Sequence, residues 1–458
     1  MKKATPLFFV FTLLFPLVSL AQYSWNNVGA GMNSPVSTLA TDSTNHILYA
    51  GGIFTQADGL PAINIARWSG AGWSPVGAGI ISGTGISSML IQGSDLIVGG
   101  TFSNIGGVLS KNVARWNGSS WSSLGAGLDN SGSASVNALA IYNNELYAGG
   151  VFNISGATPL NFIAKWDGAS WQPLATGTNG AVNALCVYNS ELYVGGTFTD
   201  AGGIPVKNIA KWNGVTWSDV GGGVYYTGAT TVSTMKNFGT ALYVGGTFTT
   251  AGTTPVHHIA KWDGTSWSDV GGGARYTGAT TVSTMLNFNN ALVVGGTFDS
   301  LGTAAADYIG SWDGSSWTSL GNGTNNSVLS LASLGDTLYA GGVFTASDGN
   351  LTPFVSEWIP ELSTATITSA AEIKFPPLKI YPNPVQDHIY ITAGIGAPTG
   401  RAMHTFTLYN MLGTKVLEEK DVKEEVYFDR SSIEPGLYIY KITAPDNSII
   451  RQGKLSFR

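Results

Sequence analysis

All fourteen tryptophans of this chain fall on one repeating frame. A Gly-Gly pair, followed by one residue and then Phe, occurs seven times, and a tryptophan stands sixteen residues after each second glycine. Six of these tryptophans have a partner five residues further on. The first members are Trp68, Trp116, Trp166, Trp212, Trp262, Trp312 and Trp358, and the second members are Trp73, Trp121, Trp171, Trp217, Trp267 and Trp317.

The two ends of the frame complete each other. Trp358 has no second member, and Trp25, near the N-terminus, is a second member without a first. A unit that repeats every 46 to 50 residues is typical of the blades of a β-propeller, which closes into a ring. The sequence therefore predicts an all-β chain with a seven-bladed β-propeller over residues 22–358, in which the strand around Trp25 completes the blade of Trp358.

One repeat, residues 183–223, shows how a blade is built. Asn213-Gly214 suits a tight hairpin turn, because both residues tolerate a positive φ. The tryptophan pair flanks this turn, so the two rings are expected to lie together and to pack between neighbouring sheets, although paired tryptophans can also stack on sugars. The predicted strands a, b, c and d cover 183–188, 191–198, 208–212 and 217–220.

The predicted topology places the d–a and b–c connections on one face of the ring and the short a–b and c–d turns on the other. From the second tryptophan to the next Gly-Gly pair the spacing varies between 24, 26 and 28 residues, so variation is concentrated around the d–a connections. Since variable loops on a rigid framework commonly carry binding sites, the d–a and b–c face is the predicted binding face.

Four residues of two d–a connections are the candidate contacts. The segment 217–235 is nearly repeated at 267–285, and both copies carry large side chains in otherwise small, polar loops. Aromatic rings beside a cation can form a recognition patch, although these residues could also be ordinary loop residues copied by duplication. The candidates are Tyr225, Tyr226, Arg275 and Tyr276, with His257 and His258 on a neighbouring b–c loop.

The N-terminus predicts export. Lys2 and Lys3 precede an uncharged, apolar run that ends at Ala21 before Gln22, which is typical of a signal peptide cleaved between these two residues. A membrane span is the alternative, but the run is short and contains prolines. We therefore expect a signal peptide over residues 1–21 and no transmembrane span in the mature chain.

The composition excludes several functions. Only 11% of residues are charged, the net charge is −6 and no basic stripe is present, so nucleic acid is not an expected partner. Cys186 is the only cysteine and is expected to pack as a small apolar side chain.

Catalysis is not predicted either. Glycoside hydrolysis needs a pair of carboxylates in one cleft. The propeller has only Glu145, Glu191 and Glu357 as glutamates, its aspartates fall mostly in turns, and no metal-ligand spacing is present. The prediction is a noncatalytic binding or adhesion module for a glycan or protein ligand, without metal or cofactor. A polysaccharide-acting propeller enzyme and a purely structural surface protein are the alternatives.

Residues 22–358 resemble known propeller repeats. The segments Leu192–Phe198 and Asn208–Trp212, with the Gly-Gly to Trp spacing, resemble kelch-type propellers and, more closely, repeats of the fungal cortical cell-polarity marker family. This resemblance implies the fold and carries little about function.

The C-terminal region carries a second resemblance. After a linker over residues 359–377, residues 378–458 are similar to the C-terminal sorting domain of type IX secretion cargo from Bacteroidota. The motif residues that match are Tyr381, Pro382, Asn383, Pro384, Gly436 and Tyr438. This resemblance implies a small β-sandwich that the type IX machinery binds after Sec export to the periplasm, and a protein that is secreted or held at the outer cell surface. An ordinary accessory β-domain is the alternative.

Overall fold

The computed structural model describes residues 23–130 and 132–360, and in the C-terminal region residues 379–381, 388–392, 404–410, 414–422, 425–429, 433–443 and 449–457. The chain divides into two compact units, Met1–Ser363 and Thr364–Arg458. All regular secondary structure in the described residues is β-strand, as the sequence predicts.

Seven antiparallel sheets, called blades 1 to 7 in chain order, form the first unit, and their strands lie side by side in the order a, b, c, d. Strands a are Val36–Asp42, Ile80–Gln92, Ser135–Tyr142, Val182–Tyr188, Thr231–Phe238, Thr281–Phe288 and Val328–Leu334. Strands b are Ile47–Gly52, Asp95–Ile105, Glu145–Val151, Glu191–Gly196, Ala241–Thr247, Ala291–Thr297 and Thr337–Gly342. Strands c are Ile65–Trp68, Val113–Trp116, Ile163–Trp166, Ile209–Trp212, Ile259–Trp262, Ile309–Trp312 and Val355–Pro360. Strands d are Trp73–Pro75, Trp121–Ser123, Trp171–Pro173, Trp217–Asp219, Trp267–Asp269, Trp317–Ser319 and, in blade 7, Tyr23–Asn27.

The ring closes between the first and last strands of the propeller. Tyr23–Asn27 pairs antiparallel with Val355–Pro360, and the register sets Trp25 opposite Trp358. Each strand a also contacts the strands a of both neighbouring blades, and the strands a of blades 7 and 1 contact each other. The predicted seven-bladed propeller, with its seventh blade completed by the N-terminal strand, is confirmed.

The b–c connections contain short hairpins that the sequence pattern did not predict. In blade 2 the strand Val108–Leu109 pairs with the end of strand b. The other hairpins pair Gln56–Ala57 with Leu60–Pro61, Ile154–Ser155 with Thr158–Pro159, Asp200–Ala201 with Ile204–Pro205, Thr250–Ala251 with Thr254–Pro255, Ser300–Leu301 with Ala304–Ala305, and Ala346–Ser347 with Asn350–Leu351. The d–a strands Val224–Tyr225 and Ala274–Arg275 pair with two of these hairpins. The d–a and b–c connections therefore share one face, here called the long-loop face, and the opposite face is called the short-turn face.

Four predicted strand limits in blade 4 are wrong by one or two residues. Strand a begins at Val182 instead of residue 183, and strand d ends at Asp219 instead of residue 220. Strand b ends at Gly196 instead of residue 198, and strand c begins at Ile209 instead of 208. Asn208 has a left-handed backbone with φ of 62°, which an extended strand cannot contain. Its amide Nδ2 donates a hydrogen bond to the Val224 carbonyl oxygen at 2.9 Å, which holds the d–a connection. The same conformation precedes every strand c, at Asn64, Asn112, Phe162, Asn208, His258, Tyr308 and Phe354.

Each Gly-Gly pair lets two neighbours approach strand b closely, the backbone of its own blade and a side chain of the next blade. Strand a of blade 4 has a β-bulge between Val182 and Ala184, opposite Gly195 and Gly196. A Cβ on Gly196 would lie 1.9 Å from the Ala181 carbonyl oxygen, at this bulge. A Cβ on Gly195 would lie 2.3 Å from Cγ1 of Val232 in blade 5. The second glycine thus accommodates its own blade's backbone, and the first accommodates a side chain from the next blade.

The contact of the first glycine recurs around the whole ring. In each case the partner is a Val or Ile of the next strand a. The pairs are Gly51 with Ile86, Gly99 with Val136, Gly149 with Val182, Gly195 with Val232, Gly245 with Val282, Gly295 with Val328, and Gly341 with Val36. The last pair joins blade 7 to blade 1.

The tryptophan pairs also connect neighbouring blades. Their ring centroids are 5.0–5.6 Å apart, as predicted from the c–d turn. Each strand d tryptophan is buried and donates its indole N–H to a carbonyl that follows strand d of the preceding blade, at 2.8–3.2 Å. The seven bonds run from Trp25 to Leu320, Trp73 to Val28, Trp121 to Val76, Trp171 to Leu124, Trp217 to Leu174, Trp267 to Val220 and Trp317 to Val270. Packing between sheets, rather than sugar stacking, is therefore the structural role of these rings.

The second unit is the predicted small β-sandwich. One sheet contains Lys379–Tyr381, His388–Thr392 and Glu425–Asp429, and the other contains Lys415–Val422, His404–Asn410, Gly436–Thr443 and Ile449–Phe457. Tyr438 is buried and donates its hydroxyl to the Glu434 carbonyl oxygen at 2.8 Å. Tyr381 ends the first strand and Gly436 begins the sixth, whereas the motif residues Pro382, Asn383 and Pro384 lie outside the described residues.

We predict that Gly341→Ala destabilises the propeller by about 1–3 kcal/mol, the usual cost of overfilling a packed core. The new Cβ would lie 2.7 Å from Val36 Cγ1, a contact that exists only if blade 7 packs on blade 1. Adding Val36→Ala should offset part of this loss, which a double-mutant cycle by chemical denaturation would measure. Gly132→Ala is the control, because its Cβ would meet nothing closer than 3.8 Å. A Gly341→Ala variant as stable as the control would contradict ring closure.

Candidate functional site

The four candidate contact residues lie on the long-loop face. Tyr225 is in the short strand between blades 4 and 5, and Tyr226 follows it with 46% of its surface exposed. Arg275 and Tyr276 hold the equivalent positions between blades 5 and 6, where Arg275 is exposed and Tyr276 is 39% exposed. Among the described residues, neither a hydrogen bond nor a ring contact joins the first pair to the second. The candidates therefore form two small groups on adjacent blade boundaries.

The first group surrounds a groove between blades 4 and 5. Lys207 Nζ lies 4.1 Å from the centre of the half-buried Tyr225 ring, which is a cation–π contact. The groove has a volume of about 550 Å³. It is lined by Lys207, Tyr225, three glycines, four threonine and serine residues, and the edges of Trp262 and Trp267.

The second group combines Arg275, two tyrosines and two histidines. Arg275 Nε donates to the Gly272 carbonyl oxygen at 3.5 Å, and the Tyr276 and Tyr308 rings are 6.5 Å apart. Burial, together with the nearby Tyr276, raises the pKa of Tyr308. Burial is also the main cause that lowers the pKa of His258, with the neighbouring His257 as the next cause, so this imidazole is neutral at pH 7. Among the described residues its Nδ1 has no hydrogen-bond partner.

An asparagine bridge that the sequence analysis missed is present in three of the seven d–a connections and absent from these two. In the d–a connections that lead into blades 1, 4 and 7, the second residue after a glycine is Asn33, Asn179 or Asn325. Its Oδ1 accepts two backbone N–H groups of the b–c hairpin, and its Nδ2 donates to a threonine hydroxyl there, at 2.8–3.0 Å. At the other four boundaries this position is held by Ile81, Asp129, Tyr225 and Arg275. The repeat of Asn at a fixed place after Gly was the signal available in the sequence.

The carboxylates considered for catalysis are engaged in ion pairs across strands b and c. Glu145 lies 3.1 Å from Lys165 Nζ, and Glu191 lies 2.8 Å from Lys211 Nζ. Asp95 and Arg115 form the same pair in blade 2, at 2.6 Å. A second groove, of about 370 Å³, contains Asp95, Arg115, Glu145 and Asp167 among its lining residues, on the short-turn face between blades 2 and 3. Each of its carboxylates already has a partner within the fold.

Aspartates in the c–d turns have a structural role. Oδ1 of Asp167, Asp263 and Asp313 accepts the backbone N–H groups of the second and third following residues, at 2.7–2.9 Å. These hydrogen bonds lower the pKa of all three carboxyls, because they stabilise the charged form. Asn117 and Asn213 accept the same bonds in blades 2 and 4, so the turn requires an acceptor and not an acid.

Glu357 differs from the other glutamates. It lies on strand c of blade 7, pairs in register with Asn26 and faces Tyr339 on strand b. Burial raises its pKa, while a hydrogen bond with Tyr339 acts in the opposite direction. Burial and the nearby Glu357 charge raise the pKa of Tyr339 to about 12.

Cys186 is a neutral thiol in this structure. Burial raises the pKa of the Cys186 thiol to about 11, and its Sγ lies 3.5 Å from Asn237 Oδ1, so it is a thiol rather than a nucleophilic thiolate at pH 7.

Within the described residues, no three His, Cys, Asp or Glu side chains form a group that could hold a metal ion. Nor do those residues include a helix long and apolar enough to cross a membrane. The predicted cleavage residues Ala21 and Gln22 lie outside the described part of the chain.

Comparisons with known proteins identify the tail. Residues 379–453 match the family model described as a secretion system C-terminal sorting domain. No curated protein matches the chain.

Three solved structures are similar to this chain over most of its length. The extracellular domain of the putative one component system BT4673 from B. thetaiotaomicron is 13% identical, with 96% of this chain and 58% of that chain covered and a TM-score of 0.49. PorZ, a surface component of the type-IX secretion system of Porphyromonas gingivalis, is 15% identical. The match covers 93% of this chain and 60% of PorZ, with a TM-score of 0.44. The GH74 enzyme of Niastella koreensis is 11% identical. The match covers 95% of this chain and 74% of the enzyme, with a TM-score of 0.43. This chain spans about three fifths of the length of the first two.

Fold and tail together define the class of protein. The chain is an all-β exported protein, with a β-propeller followed by a type IX sorting domain. The sorting domain assigns it to the outside of the cell, either released or at the outer surface, and implies contact with the secretion machinery.

We predict that Glu357→Gln raises the free energy of unfolding at pH 7. Because the folded state raises the pKa of this carboxyl above its unfolded value, stability falls as pH rises through the interval between the two. The gain from Gln should therefore shrink as pH is lowered through the unfolded pKa, roughly 4.3.

Denaturation curves across this pH range would measure the difference. Glu191→Gln is the matched control, since it removes an ion pair with Lys211 and should not stabilise the protein at any pH. A Glu357→Gln variant that is less stable than the natural chain at pH 7 would show that the charged carboxylate stabilises blade 7.

Proposed function

We propose that the propeller is a noncatalytic binding or adhesion module, presented outside the cell, which contacts its ligand through the long-loop face. The observation that carries this proposal is the replacement of the asparagine bridge by Tyr225 and Arg275 at two adjacent blade boundaries. There, large aromatic and cationic side chains take the place of residues that only join loops in blades 1, 4 and 7.

The chemistry of these side chains suits sugars or acidic peptides. Tyrosine rings offer apolar faces and a hydroxyl, and Arg275 adds a positive charge with several donors. Exposed Tyr226 and Tyr276 follow directly in the same loops. An extended ligand that crosses two blade boundaries could use both groups.

A noncatalytic role is supported by the carboxylates, which already have partners within the fold. Glu145 and Glu191 are paired with lysines, and the turn aspartates cap backbone N–H groups. A general acid and a base in one cleft would be the observation that favours the alternative of a polysaccharide-acting enzyme. A purely structural surface protein is the other alternative.

The kelch-like character of the repeats and the removal of residues 1–21 as a signal peptide remain parts of this proposal. The sorting domain is proposed to bind the type IX machinery through its β-sandwich, before or during transfer across the outer membrane. We propose no cofactor, metal or nucleic-acid partner for the propeller.

We predict that the combined variant Tyr225→Ala, Tyr226→Ala, Arg275→Ala and Tyr276→Ala loses binding to every ligand that a glycan and peptide array returns for the natural chain. The loss should be at least about tenfold in affinity, because buried aromatic and arginine contacts dominate binding energies. Its melting temperature should change little, since the four side chains lie in loops.

The matched control is Val215→Ala with Gln172→Ala, two residues near the c–d turns on the short-turn face. This variant should bind like the natural chain. Equal loss in both variants would refute the assignment of the face. Release of reducing ends from any arrayed polysaccharide would refute the noncatalytic class, and the absence of any ligand would favour a structural protein.

A further inference from the structure

Two equivalent lysines of the propeller have different partners. Lys111 precedes Asn112 in blade 2, and Lys207 precedes Asn208 in blade 4. The d–a connection that follows blade 2 places Asp129 beside Lys111, with 2.6 Å between Nζ and Oδ2. The connection that follows blade 4 has Tyr225 at the position of Asp129, and Lys207 Nζ lies 4.1 Å from the centre of that ring. At this boundary an aromatic ring has thus replaced the carboxylate.

The replacement leaves the Lys207 charge without an acidic partner. Among the described residues, no carboxylate lies within 4.0 Å of Lys207 Nζ, although this distance joins five other cation–carboxylate pairs. The neighbouring Asp219 accepts the backbone N–H of Gly222 at 2.7 Å. A cation held against a ring keeps its capacity to form a charge-assisted hydrogen bond with an external anion.

The groove beside Lys207 offers partners for a sugar ring. Its lining includes Thr253 and the edges of Trp262 and Trp267. It also reaches Thr265 and Ser266 in the blade 5 c–d turn, whose hydroxyls already donate to Asp263 at 2.8 Å and can still accept a hydrogen bond. Its volume of about 550 Å³ is within the range of small-molecule sites. Hydroxyl groups bind the hydroxyls of a saccharide, and the half-buried Tyr225 ring offers an aromatic face to its C–H groups.

Three glycines line the groove. Gly221 and Gly222 follow strand d of blade 4, and Gly252 is at the tip of the blade 5 hairpin. A Cβ on Gly221 would lie 2.4 Å from Trp262 Cζ3, and one on Gly252 would lie 2.8 Å from the Gly221 carbonyl oxygen, so packing within the fold requires both glycines.

We propose that this groove binds an acidic polysaccharide, with Lys207 paired to a sugar carboxylate and with Tyr225 and the surrounding hydroxyls in contact with the sugar ring. The inference rests on the proposed binding function and names its ligand class. It assigns the primary charge contact to Lys207, which lies 18 residues before Tyr225 in the chain and on a different blade connection.

Oligogalacturonate and its methyl-esterified counterpart are suitable probes for calorimetry with the purified full chain. The acid should bind at least about tenfold more tightly than the ester, because a charge-assisted hydrogen bond is lost on esterification. Affinity for the acid should also fall with rising ionic strength.

Three variants test the residues. Lys207→Gln removes the cation, and Tyr225→Asp recreates the arrangement of Lys111 with Asp129, so both should weaken binding of the acid by about tenfold or more. Lys111→Gln is the matched control and should leave affinity unchanged, since Lys111 is already paired. Unchanged melting temperatures in all three would exclude unfolding as the cause of the loss.

Several outcomes would overturn the inference. Equal losses in Lys207→Gln and Lys111→Gln would indicate nonspecific charge attraction, and equal binding of acid and ester would exclude the carboxylate contact. Polyglutamate that binds as tightly as oligogalacturonate would exclude a sugar-specific groove. If only neutral glycans or peptides bind, and the four-residue alanine variant abolishes that binding, the proposed function stands and this inference fails. If no arrayed ligand binds at all, both fail.

Discussion

The structure depends on a contact between a glycine in strand b of one blade and a Val or Ile side chain in strand a of the next. Gly195 and Val232 show why it must be glycine, since a Cβ at that position would lie 2.3 Å from Cγ1. Close-packed interiors have no room for even one additional carbon atom at such a point. The same contact occurs at all seven boundaries, and Gly341 with Val36 joins the last blade to the first. Because this last contact repeats the other six, the facing sheets of blades 7 and 1 are packed like those of every other pair of neighbours.

This closed ring separates the parts of the chain that hold the fold from those that can bind. The glycine contacts and tryptophan hydrogen bonds connect the sheets within the ring, and the d–a connections supply the carbonyl that accepts each tryptophan bond. Asn33, Asn179 and Asn325 attach three of these connections to their b–c hairpins. Where Tyr225 and Arg275 take that position, backbone hydrogen bonds still join loop to hairpin, at 3.2 and 2.9 Å. The side chains there can serve a ligand without loss of the loop's attachment.

The sequence predicted what repeats, because each repeat reports on the same local environment. The blade number, the closing strand of Trp25 and the proximity of the tryptophan rings all follow from spacing, and the structure shows them. The left-handed residue before strand c recurs in all seven blades but was missed, because its residue type varies among Asn, Phe, His and Tyr. The partnership of Lys207 and Tyr225 was missed because it depends on how one connection crosses over another. Spacing reveals a shared framework, whereas a site arises from the positions where the copies differ.

Recognition is assigned to the d–a and b–c connections between blades 4 and 5 of a rigid ring. Hydrogen exchange of the full chain, measured by mass spectrometry with and without oligogalacturonate, tests this directly. We predict slower exchange in residues 221–230 and 249–256 when ligand is present, with unchanged exchange at the short turns 189–190 and 213–216. Protection of the short turns without protection of the 221–230 loop would contradict this assignment.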